Sequence, residues 1–155
     1  MHRMDLTDAD LIEDVRRAAA ADAPLGERAA RVAELIRTGT GRRWVGVYRV
    51  AGSEVRNLAW SGPAAPAYPN FPIERGLTGA AIRCRGTVLS NDVANDSRYL
   101  TNQESTGSEL IVLVLRKGTV VGTLDIEDAA TDAFGEEDQT LFEHVAAALV
   151  DLYRY

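Results

Sequence analysis

Glu109, Asp125 and Glu127 are the residues whose types and spacing most readily do chemistry. They sit near the ends of two apolar runs, residues 108–115 and 119–127, joined by Arg116-Lys117-Gly118. Period-two alternation makes the runs a hairpin. The turn allows two forms. A two-residue loop, Lys117-Gly118, pairs Arg116 with Thr119. A three-residue loop with Gly118 in a left-handed bulge pairs Leu115 with Thr119. One residue of slip moves a whole strand's side chains to the other face. The three-residue loop gathers Leu110, Val112, Val114, Val120, Gly122, Leu124 and Ile126 on one face. The two-residue loop pushes Asp125 among Leu110 and Val112, where an unpaired carboxylate costs several kcal/mol. The three-residue form is therefore expected, with Glu109 opposite Asp125 and Glu127 two residues further on.

Trp44, Gly46 and Tyr48 share one face of another strand, residues 44–51. If that face is the acidic one, the result is an aromatic and acidic cavity. Such a cavity suits a small ligand bearing an amine or several N–H donors. The competing reading leaves the carboxylates solvated at a strand end or paired with arginines. If the three do converge, at least one must titrate above the usual carboxylate range. Trp60, which closes the returning strand, is a core residue or a cavity wall. Tyr99, in a polar loop, is placed to fold over the cavity.

Other chemistry is sparse. The single cysteine, Cys84, excludes an intramolecular disulfide and a multi-cysteine metal site. Leu77, Ala80, Ala81 and Cys84 fall on one helical stripe, which reads as core packing. His2 and His144 lie too far apart to be a metal signature, so no metal site is expected. No nucleophile elbow, phosphate loop or dinucleotide fingerprint appears. No catalytic residue and no cofactor is assigned.

The elements that must position these residues run helices, strands, loops, a short helix, strands, helix. Thr7 with Asp10 reads as a capping box for a first helix reaching about Ala20, with Leu6 and Leu11 as staple residues. A second helix extends to about Arg37. Strands are expected at 44–51, 54–60, 87–90, 108–115 and 119–127, a short helix at 76–85, and a last helix at 136–153. Residues 61–70 and 91–107 read as loops. Without βαβ alternation the class is α+β, a mostly antiparallel sheet of five to six strands. Terminal helices are expected on one sheet face and a loop-covered pocket on the other.

The chain of 155 residues, 46% hydrophobic and 26% charged, suits a single domain over 1–155, with residues 1–22 as a possible dimerisation helix. A net charge of −6 argues against non-specific nucleic-acid binding, which draws its affinity from Lys and Arg on phosphates. No run is long enough to span a bilayer, and early acidic residues interrupt any leader pattern. A cytoplasmic protein is expected. The arginine and alanine bias fits a GC-rich bacterial genome.

These residues together resemble a GAF domain, a small-molecule-sensing relative of the PAS fold. The resemblance rests on Trp44-Val-Gly-Val-Tyr48, Phe71-Pro-Ile-Glu-Arg-Gly-Leu-Thr-Gly79, Asn91-Asp-Val-Ala-Asn-Asp-Ser-Arg-Tyr99, Ser108–Val114, Gly122-Thr-Leu-Asp-Ile-Glu127 and Phe134 to Asp138. It is most similar to the GAF enzymes that reduce free methionine-R-sulfoxide. The resemblance implies substrate-binding roles for Trp44, Tyr48, Glu109, Asp125 and Glu127. It places the family's reactive thiols at Tyr68, Thr78 and Asn102, none of them cysteine here. It also departs from cyclic-nucleotide and bilin binders, since Glu127-Asp128 repels phosphate and Cys84 is followed by Arg85. The expectation is a sensory or regulatory module that binds a small molecule without turnover. A homodimer through the first and last helices and a separate signalling partner are expected. The alternatives are a divergent reductase and a structural dimerisation module with a degenerate pocket.

Overall fold

The computed structural model describes residues 6–100 and 105–154. Expectations placed on His2, Asn102 and the Leu6 side chain lie outside the described residues. Two helices open the chain, α1 (Leu6–Ala20) and α2 (Leu25–Thr40). A hairpin follows, β1 (Trp44–Ala51) and β2 (Glu54–Ser61), then the short β3 (Asn70–Pro72). Next come α3 (Gly76–Cys84), β4 (Val88–Ser90), β5 (Ser108–Arg116), β6 (Thr119–Asp128) and α4 (Glu136–Ala148). Two 3-10 segments, Val93–Asn95 and Val150–Tyr153, complete it. Thr7 lies inside the first turn of α1, which begins one residue before the expected cap. The sequence pattern had no signal for β3, three residues long and inside the proline-rich loop.

The six strands form one antiparallel sheet ordered β3-β2-β1-β6-β5-β4. The helix layer buries one face. Val45, Val47, Leu110, Val112, Val114, Leu124 and Ile126 pack there with Val15, Val32, Ile36, Phe142 and Val145. On the other face α3 sets Leu77, Ala80 and Ala81 against Val88, Ile111 and Leu113. Beside them Trp44, Tyr48 and Val55 pack with Phe71 and Ile73. Both faces of the central strands are buried, and alternate side chains divide between the two layers as the hydrophobic pattern required.

The β5–β6 turn departs from expectation. Arg116 pairs with Thr119 across a two-residue loop, and both Lys117 (φ 51°) and Gly118 (φ 80°) are left-handed. That is the geometry of a primed hairpin turn, whose twist matches the strands. Asp125 still does not enter the helix-facing core. Leu115 pairs with Val120 and Val114 with Gly122, so Val121 is an extra residue in β6. The bulge moves the register by one and restores the faces from Gly122 onward, while Val120, expected beside Leu110 and Val112, turns to the α3 side and Val121 packs with the helix layer. The pairs differ by two residues from those expected. Glu109 stands opposite Glu127, and Asp125 opposite Ile111.

Candidate functional site

Three strands build the acidic end of the sheet. β1 pairs with β6 so that Trp44 faces Glu127, Gly46 faces Asp125, and Tyr48 faces Thr123. One row across the sheet therefore reads Trp44, Glu127, Glu109, Ser90, and the next Gly46, Asp125, Ile111, Val88. Glu109, Asp125 and Glu127 are 7%, 4% and 1% exposed. Any side chain at Gly46 would overlap the Trp44 indole, which lies back over the strand toward Tyr48. Trp44 is buried, and its Nε1 donates to the Ala64 carbonyl at 2.9 Å.

A cavity of about 30 Å³ opens above this row, lined by Tyr48, Tyr68, Phe71, Gly76, Leu77, Thr78, Leu100, Glu109 and Asp125. Its walls are aromatic on the β1–β3 side, where the Tyr48 and Phe71 rings meet edge to face at 5.9 Å between centroids. On the opposite side α3 presents its first residues. The first intrahelical donor is Gly79, bonded to the Arg75 carbonyl at 2.8 Å, so the amides of Gly76, Leu77 and Thr78 precede the helical ladder. Gly76 reaches its position with φ 69°, a conformation that glycine adopts without strain.

Among the described residues no basic side chain lines the cavity. Burial, reinforced by the charges of Glu127 and Asp125, pushes the Glu109 carboxyl well above the usual range. Burial likewise raises Asp125; the Thr123 hydroxyl, donating at 3.1 Å, works against the shift, and the Glu127 charge adds to it. Tyr48 is raised by burial first and then by the carboxylates, so its phenol stays neutral. Glu127 lies behind the cavity and accepts a hydrogen bond from Thr106 Oγ1 at 2.6 Å. The Glu109 carboxyl makes no hydrogen bond or ion pair with a described residue, although more than nine-tenths of the residue is buried.

The structure thus brings Tyr48, Glu109 and Asp125 to the cavity and buries Trp44 and Glu127 in the adjoining row. It leaves the other two aromatic candidates elsewhere. Trp60, opposite Gly46, is 37% exposed and does not line the cavity. Tyr99 packs beside Leu77 and Ala81 and borders a separate open groove with Arg75, Arg83 and Arg98. Its neighbour Leu100 reaches the cavity instead. Cys84 is exposed, against the expectation of core packing. It ends α3, where Arg85 turns left-handed (φ 53°), and its Sγ lies 3.6 Å from the Ala81 carbonyl. The stripe predicts a buried position only while the helix lies along the sheet.

Tyr68, Phe71, Leu77 and Thr78 are lining residues that strand periodicity does not reveal. They come from a loop, a three-residue strand and a helix start. Gly76 was the nearest signal, because a positive-φ glycine opening a helix brings that helix start close to its neighbours. Among the described residues no cluster of His, Cys, Asp and Glu has metal-binding geometry, and no helix is long and apolar enough to cross a membrane.

Comparisons with known proteins agree with this architecture. Free methionine-R-sulfoxide reductase from Neisseria meningitidis, solved with its substrate, superposes with a TM-score of 0.84 at 23% identity, covering 99% of this chain and 93% of the other. A putative GAF sensor protein from Burkholderia vietnamiensis gives 0.83 at 24% identity over 93% and 91%. The GAF domain of an Acinetobacter phosphoenolpyruvate-protein phosphotransferase gives 0.83 at 15% identity over 97% and 94%. At such identities the likeness establishes the fold. Comparison with curated proteins found no match. The GAF domain family model matches residues 24–150, from the start of α2 to the end of α4, and so spans every strand described above. The chain belongs to the GAF domain family.

Proposed function

We propose that the chain is a sensory or regulatory module that binds a small amine-bearing metabolite in the cavity between β1, β5, β6 and α3, without turning it over. The observation that carries this reading is Glu109, a buried carboxyl lacking a described partner, set beside Asp125 in a cavity that no described basic residue lines. A ligand ammonium supplies the missing donors and lets both carboxyls ionise. The start of α3 on the far wall favours an anionic group. The two walls together suit a zwitterion of the free amino-acid kind. Trp44 and Glu127 support the site from the adjoining row.

A cavity of this volume admits about two waters, so a ligand must displace part of its rim. Tyr68, 45% exposed, and Leu100 are the rim residues to move. A signal from the site needs a recipient. A second copy of the chain meeting it through α1 and α4, which pack side by side, serves that purpose, as does a separate protein.

Binding without turnover follows from the missing sulfur. Reducing a sulfoxide requires a thiolate to attack at the bound ligand and a second thiol to resolve the product. Tyr68 and Thr78 line the cavity, and Cys84 does not. The reductase neighbours keep a catalytic reading open to direct test. Thermal-shift screening with free amino acids, their oxidised forms and nucleotides tests binding, since a ligand of the native state must raise Tm. A rise with amine-bearing compounds is expected, and none with nucleotides. A thioredoxin-coupled assay on free methionine-R-sulfoxide is expected to show no turnover. Turnover abolished by Cys84→Ser would replace this reading with an enzymatic one.

A further inference from the structure

Tyr48 meets the cavity with its ring and the helix layer with its backbone. Its carbonyl accepts a hydrogen bond of 2.6 Å from the hydroxyl of Tyr153, and both residues are buried. Tyr153 reaches it from the 3-10 segment Val150–Tyr153, through the space where Gly122 has no side chain. A Cβ there would overlap both the Tyr153 hydroxyl and the Tyr48 carbonyl. The surroundings are locally irregular. The β1–β6 ladder ends at Arg49 and Gly122, the β1–β2 register shifts between Val47 and Tyr48, and Val121 bulges beside them. A loosened ladder leaves the Tyr48 peptide more freedom than a regular strand allows.

The other end of the connection is also defined. Arg116 Nη1 donates to the Tyr153 carbonyl at 2.9 Å. Arg28 ties the same 3-10 segment to the first two helices. Its Nη1 donates to the carbonyls of Asp151 at 3.3 Å and Ala19 at 2.8 Å, and its Nε to Ala23 at 2.8 Å. A path therefore runs from the cavity wall to Tyr153 by a hydrogen bond, along the backbone of the 3-10 segment to Asp151, and through Arg28 to the α1–α2 corner.

We propose that the Tyr153–Tyr48 hydrogen bond couples occupancy of the cavity to the C-terminal segment and, through Arg28, to the α1–α2 corner. This rests on the reading of the cavity as a ligand site. A ligand seated against Tyr48 fixes its peptide, and Tyr153 carries that constraint through the sheet. Tyr153 is a positioning residue and does not touch the ligand.

Amide exchange with and without a set of free L-amino acids at millimolar concentration, L-methionine-R-sulfoxide among them, tests the coupling. In the wild-type chain a bound probe is expected to slow exchange several-fold in residues 76–81 and 108–113, and also in 149–153 and 12–20. Tyr153→Phe keeps the ring and removes the hydroxyl. Protection near the cavity should remain, and protection of 149–153 and 12–20 should vanish. Arg28→Gln leaves Tyr153 in place and should remove the response of 12–20 alone, which gives a second reading if the tyrosine variant folds poorly. Distant protection that survives Tyr153→Phe, or that never appears in a wild-type chain with a protected cavity, overturns the coupling. A probe set that protects nothing overturns the cavity reading and the coupling with it.

Discussion

Glu109 on β5 stands directly across from Glu127 on β6, two buried carboxyl groups side by side at one end of the sheet. Like charges directly opposite destabilise a strand pair. A third, Asp125, lies one row away. Such an arrangement opposes folding and is tolerated where a site requires it.

Glu109→Gln should therefore stabilise the unliganded protein at neutral pH. The folded carboxyl holds its proton more tightly than the unfolded one, so folded-state stability falls as pH rises from the ordinary carboxylate range through the raised value. Each unit of elevation is worth about 1.4 kcal/mol. The gain in Tm over wild type should shrink as the pH drops from the raised value into the ordinary carboxylate range, about 4, and level off below it. Calorimetric melts at several pH values check this, and an unchanged difference across that range would contradict the raised pKa.

Affinity for an amine ligand should carry the opposite pH sign. The ammonium favours ionised Glu109 and Asp125, so binding should strengthen as pH rises through their raised values and should release protons. Titration calorimetry in buffers of different ionisation heat measures the release. Asp125→Asn should weaken binding above the raised value, where wild-type Asp125 is ionised, and so flatten the pH dependence.

Gly46→Ala should damage the site through space alone. A methyl group there collides with the Trp44 indole and the Tyr48 ring. Overpacking of this kind costs about 1–3 kcal/mol. Denaturant melts should show the loss, and tryptophan fluorescence should report the displaced indole.

Thr106→Val removes the 2.6 Å hydroxyl donor from buried Glu127. Taking a donor from a buried carboxylate costs about 1–3 kcal/mol. Thr106→Ser, which restores the hydroxyl, should recover most of it.

Lys117→Asn addresses the turn. Lysine at φ 51° pays the left-handed penalty of about 1–2 kcal/mol, which asparagine partly avoids. A rise in Tm is expected with no change in the cavity, and a fall would mean that Lys117 makes a contact beyond the turn.

Alternation alone determined which side chains share a sheet face, and hence that Glu109, Asp125 and Glu127 lie together, across from the helix layer. It also put Trp44 and Tyr48 together on one face of their strand, and the pairing of β1 with β6 made that the acidic face. The pairing within the face was a matter for tertiary structure. A three-residue turn and a two-residue turn followed by one bulge put the residues beyond the bulge on the same faces, because two single-residue shifts cancel in a pattern of period two; only Val120 and Val121 exchange sides. Packing against both sheet layers selects between them. Cys84 shows the same limit for helices, since a stripe cannot say where the helix leaves the sheet. The cavity rim, from Tyr68 to Leu100, comes from segments far apart in the chain and without periodicity. Their meeting depends on how α3 and the 62–69 loop close over the sheet, which only three-dimensional packing decides.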